Sequence, residues 1–132
     1  MEVYGQKKVK VGLVKNILNK CKYSLDGLKY CFKNETSFLL EAIAAIFIII
    51  IGIYFDIEFV DWVIALGSLM LISITELINT AIEAVVDMVT SEYHPLAKVA
   101  KDCGSAATGI MGILATIANL IIFIPYFIGL FV

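Results

Sequence analysis

Three stretches of this chain are too long and too apolar for an ordinary soluble core. A bilayer core of about 30 Å needs about 20 mostly apolar residues in a helix. The first stretch runs from Phe38 to Phe55 and is interrupted only by Glu41. The second runs from Trp62 to about Val89 and carries Glu76, Asn79, Glu83 and Asp87. The third runs from about Cys103 to Phe131, with Pro125 expected to kink or end it. Hydrophobic residues make up 61% of the 132, against about 45–50% in soluble domains. An all-α membrane protein of three transmembrane helices is therefore expected, with 1–132 as a single domain.

Charge sets the expected orientation. Eight of the ten Lys lie before residue 34, at 7, 8, 10, 15, 20, 22, 29 and 33. Only Glu2, Asp26 and Glu35 oppose them over residues 1–36, leaving a net charge of +5. Cytoplasmic flanks are rich in Lys and Arg, so the N-terminus is expected inside. The acidic turn Tyr54–Asp61 then falls outside, and the loop Thr90–Lys101 inside. There is no Arg and no basic excess overall, which argues against a nucleic-acid partner. Residues 1–30 lack the apolar stretch of a signal peptide, so no cleavage is expected. Cys21, Cys31 and Cys103 form no CxxC pair; free thiols are expected.

Residues 11–33 read as an amphipathic helix. Val14, Ile17, Leu18, Cys21, Leu25, Leu28 and Phe32 recur at steps of three and four, with Lys between them. A basic amphipathic helix lies on a membrane rather than through it.

The acids of the second stretch point to chemistry. At 100° per residue, Glu83 returns to within about 20° of Glu76, and Asn79 lies within about 60° of it. An acid at the centre of a span costs about 2.5–3.5 kcal/mol, and such residues mark functional sites. Carboxylates with an amide carbonyl are hard ligands suited to Mg²⁺. Glu76 lies about 10 Å deeper than Glu83. Glu83 is thus the better metal ligand, and Glu76 the better general base for a group presented by a lipid. Glu35 is either a second metal ligand or a plain acid at a helix start. Lys101 is the phosphate partner expected from the inner loop. The small residues Gly104, Ser105, Thr108, Gly109 and Gly112 suit close helix packing. No Walker A or Rossmann fingerprint occurs.

The runs Glu76-Leu-Ile-Asn-Thr-Ala-Ile-Glu-Ala-Val-Val-Asp87, Ser91-Glu-Tyr-His94 and Ala100-Lys-Asp-Cys-Gly-Ser-Ala-Ala107 closely resemble the small prokaryotic integral-membrane diacylglycerol kinases, a family that includes undecaprenol kinases. The resemblance implies a homotrimer in the bacterial cytoplasmic membrane, with active sites shared between subunits. It implies transfer of the ATP γ-phosphate to a lipid hydroxyl with Mg²⁺, giving phosphatidic acid from diacylglycerol or undecaprenyl phosphate from undecaprenol.

Residue by residue, the resemblance makes Glu76 the base and gives the metal to Glu35 and Glu83. It gives the nucleotide to Tyr23, Glu35, Glu83, Glu92, Tyr93, His94, Lys101 and Asp102. It gives the lipid to Ser37, Phe38, Glu41, Glu76, Asn79 and Ser105. Asn16 stands at a nucleotide position where the best-known enterobacterial members carry Arg, with Lys15 beside it. A small cation-coupled transporter, with Glu76 as carrier, is the alternative class.

Overall fold

The computed structural model describes residues 12–130. It contains α1 (Leu13–Asn34), α2 (Thr36–Phe55), α3 (Phe59–Val89) and α4 (Pro95–Ile128). Lys7, Lys8 and Lys10, position 11 of the expected surface helix and the expected third-span end at Phe131 lie outside the described residues. Helices α2, α3 and α4 are each long and apolar enough to cross a membrane. Their 20, 31 and 34 residues give lengths of about 30, 46 and 51 Å.

The helices extend beyond the expected apolar spans, most of all α4. It begins at Pro95, eight residues before Cys103. Proline suits the first helical position, where its missing N–H bonds nothing in any case. His94 caps this start, its Nδ1 accepting the Leu96 N–H at 3.2 Å. The inner loop is therefore Thr90–His94, and Lys98, Lys101 and Asp102 ride on a helix. Pro125 does not end α4, which continues to Ile128. Helix α2 starts two residues before Phe38, and α3 three before Trp62.

The α2–α3 turn is tight. Asp56 takes the left-handed conformation at φ 50°, which a short polar side chain tolerates. The Ile57 N–H bonds the Gly52 carbonyl at 3.1 Å. Gly52 is buried, and the indole of Trp62 packs closely against it. A Cβ at Gly52 would sit 2.5 Å from Trp62 Cη2. Ile48, Ile57, Ala65, Ile122 and Phe123 form the buried core at this end. The Phe55 ring meets Phe127 at 4.8 Å and Tyr126 at 5.8 Å, so α2 and α4 converge here.

Helices α3 and α4 form the main packed pair, and polar side chains set their register. Tyr126 Oη donates to Asp61 at 2.8 Å, and Asn119 Nδ2 donates to Ser68 Oγ at 3.0 Å. The two contacts are seven residues apart on both helices, two turns along an antiparallel pair. Helix α1 packs on α2 and α3, burying Cys31 and setting the Phe32 ring 5.2 Å from Phe38. Leu13, Val14, Ile17, Leu18 and Leu25 of α1 remain exposed. All three cysteines are free thiols.

Away from the aromatic cluster, α2 and α4 diverge. They leave an open apolar groove of about 700 Å³ running from Leu40 and Glu41 to Phe123 and Phe127.

Gly52→Ala should destabilise the protein by about 1–3 kcal/mol, because the rigid indole must move to admit a methyl group. Thermal unfolding in detergent micelles would show a lowered midpoint.

Candidate active site

The site is set by one contact between α2 and α3. Ser73 Oγ donates to Glu41 Oε2, 32 residues away in sequence. That bond levels the two antiparallel helices. Glu76 lies three residues beyond Ser73, about 4.5 Å toward the Thr90 end. Helix α2 begins five residues before Glu41, about 7.5 Å in the same direction. Glu76 therefore stands near the level of Phe38 and faces Glu41 within electrostatic reach. Glu83 stands about 15 Å from the Ser73 level, past the start of α2. Glu35, the half-buried joint between α1 and α2, lies about 9 Å from the same level, between the heights of Glu76 and Glu83. The Glu35 N–H bonds the Cys31 carbonyl at 2.8 Å.

Asn79 is buried on the α4 side of α3. Its amide nitrogen donates to Glu83 Oε1 at 3.1 Å, so the two share a face as the helical spacing predicts. Its Oδ1 is buried with no partner among the described residues. That oxygen presses against Gly104, where a Cβ would collide with it. The close packing expected of the small residues is realised at Gly104, whereas Gly109 and Gly112 face open space.

Beyond Glu83, α3 and α4 continue past α2 and enclose a polar cleft of about 540 Å³. Asp87, Thr90, Ser91, Glu92, Tyr93, His94, Lys98, Lys101 and Asp102 line it. Lys101 pairs with Asp87 at 2.5 Å, and Lys98 pairs with Asp102. Glu83 is within electrostatic reach of Lys101. Three carboxylates against two ammonium groups would repel a bare polyphosphate. The same set suits a polyphosphate that carries its own cation.

The structure thus brings Glu92, Tyr93, His94, Lys101 and Asp102 into one cleft. Asn16 and Tyr23 are exposed on α1 and do not line it. Phe38 is buried, Ser37 is half-buried, and Ser105 is exposed one residue past Gly104. Glu41 lines the apolar groove. Among the described residues, no three His, Cys, Asp or Glu side chains cluster closely enough to hold a metal ion by themselves. Sequence reasoning passed over Ser73, Ser68 and Asn119, as well as the pairing of Asp87 with Lys101. Their signal was a polar residue amid apolar ones, which hydropathy averages away.

Comparison with known proteins bears on this arrangement. Residues 22–123 match the sequence profile of a family described as prokaryotic diacylglycerol kinase. The chain is 40% identical over 111 residues to the diacylglycerol kinase of Escherichia coli strain K12, covering 84% of this chain and 91% of the relative. It is 39% identical over 92 residues to the diacylglycerol kinase of Haemophilus influenzae, covering 70% and 78%. It is 36% identical over 99 residues to the undecaprenol kinase of Bacillus subtilis strain 168, covering 75% and 80%.

Gly104→Val should force α3 and α4 apart at Asn79, costing about 1–3 kcal/mol. Lys101→Met should leave the melting temperature near that of the parent, because both members of the Lys101–Asp87 pair still reach water. Melting curves of the two variants in the same detergent test the contrast.

Proposed function

Because the chain belongs to the prokaryotic diacylglycerol kinase family, and is thereby a lipid kinase, we propose that it phosphorylates diacylglycerol. The ATP γ-phosphate passes to the lipid hydroxyl, giving phosphatidic acid at the cytoplasmic face of the bacterial inner membrane. The observation that carries this reading is the placement of the polar cleft directly beyond the Glu76–Asn79–Glu83 face. A charged nucleotide held in that cleft would lie against acids that a lipid headgroup can reach.

In this reading the lipid oxygen attacks the γ-phosphorus, its bond to the β-bridging oxygen breaks, and ADP leaves. The hydroxyl proton goes to Glu76, whose depth near Phe38 matches a headgroup at the interface. Such transfer needs mainly positioning and charge neutralisation. Lys101 would exchange Asp87 for a phosphate oxygen, while Glu92, Tyr93, His94 and Asp102 hold the nucleotide from the cleft walls. Glu83, Glu35 and the unpartnered Asn79 Oδ1 supply hard oxygens that fit Mg²⁺. When bound, Mg²⁺ neutralises phosphate charge.

Helix α1 would lie on the membrane surface, its exposed Leu13, Val14, Ile17, Leu18 and Leu25 in the lipid and its Lys toward phosphate headgroups. The Lys-rich N-terminal segment supports a cytoplasmic N-terminus under the positive-inside rule. Asn16 and Tyr23 reach a nucleotide only if subunits pool their surfaces, which a homotrimer with shared sites provides. No nucleic acid takes part.

A second reading is undecaprenol kinase, giving undecaprenyl phosphate. The likeness to the Bacillus subtilis enzyme favours it. Radiolabel transfer from γ-labelled ATP in mixed micelles separates the two, with dioleoylglycerol and undecaprenol offered side by side. Label in phosphatidic acid supports the first reading; label in undecaprenyl phosphate alone replaces it with the second.

Glu76→Gln should fold and assemble normally yet lose about 10²–10⁴-fold in turnover, the usual worth of a general base. Parent-like turnover would remove Glu76 from that role. Glu83→Gln should raise the Mg²⁺ concentration needed for half-maximal rate. An unchanged magnesium titration would count against ligation there.

A further inference from the structure

A carboxyl group inside an apolar span normally spends both oxygens on partners, because an unmet one costs free energy. Glu41 does not. One oxygen, Oε2, accepts from Ser73 across the α2–α3 seam. The other, Oε1, is buried and has no partner among the described residues. Glu41 also stands at the end of the apolar groove nearest the start of α2.

Ser73 does not need this contact for its own sake. Its hydroxyl also lies 3.3 Å from the Leu69 carbonyl one turn back, the usual resting place for a serine inside a helix. The hydroxyl has one proton and two candidate acceptors. A charged carboxylate is the stronger of the two. If Glu41 takes up a proton, Ser73 can turn that proton to Leu69 and accept from Glu41 instead. Ser73 thus holds Glu41 in one orientation in either protonation state.

We propose that Ser73 is a positioning residue for lipid substrate. By fixing Oε2, it leaves Oε1 unpaired at the groove end, where that oxygen, buried until lipid enters, accepts a hydroxyl of the incoming lipid. This rests on the lipid-kinase reading above. Ser73 touches neither nucleotide nor lipid. It acts through Glu41, and its influence falls on the lipid rather than on ATP. The groove supports this division: its walls are apolar apart from Glu41, Thr116 and Asn119. Glu41 is therefore the hydrogen-bonding group met first by a lipid whose headgroup stays near the start of α2.

The test compares Ser73→Ala, Ser73→Thr and the parent in mixed micelles, with dioleoylglycerol and ATP varied in turn. Ser73→Ala should raise the KM for lipid about tenfold, the worth of one hydrogen bond to a charged group. Its KM for ATP should stay put, and its melting temperature should fall, since the same contact sets α2 against α3. Ser73→Thr keeps the hydroxyl and should restore the lipid KM. In a Glu41→Gln background, Ser73→Ala should add little, since the two act as a unit.

An unchanged lipid KM in Ser73→Ala overturns the positioning role while leaving the kinase reading intact. So does an equal rise in both KM values, or a threonine variant no better than alanine. Parent protein that transfers phosphate to no lipid overturns the kinase reading and this inference with it.

Discussion

A polar side chain inside hydrocarbon has no water to turn to, so it must find a partner on a neighbouring helix. Three such contacts, together with one close packing at Gly104, fix how α2, α3 and α4 stand against one another. Tyr126 with Asp61 and Asn119 with Ser68 set α4 against α3. Ser73 with Glu41 sets α2 against α3, and Asn79 packed on Gly104 brings α4 close near the site. Apolar packing alone discriminates weakly between registers in a membrane, where lipid tails are as oily as leucine. The polar contacts supply the discrimination. Once they are made, Glu76 stands level with the start of α2 and Glu83 stands past it.

The two halves of the candidate site have different physical characters for this reason. The groove between α2 and α4 is apolar and open along its side, suited to a chain that arrives laterally. The cleft between Asp87 and Asp102 is polar and crowded with paired charges. Its ion pairs are wet and individually weak, so each is a partner that can be exchanged at small cost. Such loosely held partners would suit the proposed nucleotide site, which has to admit and release a charged ligand.

Much of this was legible in the sequence, and the limits have physical causes. The three long helices follow from hydropathy, which registers length and polarity directly. The shared face of Asn79 and Glu83 follows from helical periodicity. The polar first turns of α4 were not legible because hydropathy reports where a helix becomes apolar, not where it begins. Pro95 and the His94 cap begin α4 two turns into polar sequence. Pro125 suggested a break that a long flanking helix absorbs. Ser73, Ser68 and Asn119 were invisible because their significance lies in which helix each one meets, and interhelical register is not written in any local pattern.

The lengths of the helices carry a further consequence. Helix α2 matches the thickness of an average hydrocarbon core, whereas the α3–α4 pair overhangs its start by more than 10 Å. Membrane thickness thus becomes a control on the chemistry. A thicker bilayer would draw the start of α2 inward and sink Glu35, Glu83 and the mouth of the cleft toward lipid, burying charges that need water. A thinner one would lift Glu76 and Glu41 toward the aqueous phase, where they no longer meet a headgroup at its own depth. Mismatch costs only fractions of a kcal/mol per ångström, but here it acts on the boundary where the proposed reaction would bring lipid and nucleotide together. Proteins of this design should therefore respond to the chain length of the surrounding phospholipids as well as to their own substrate.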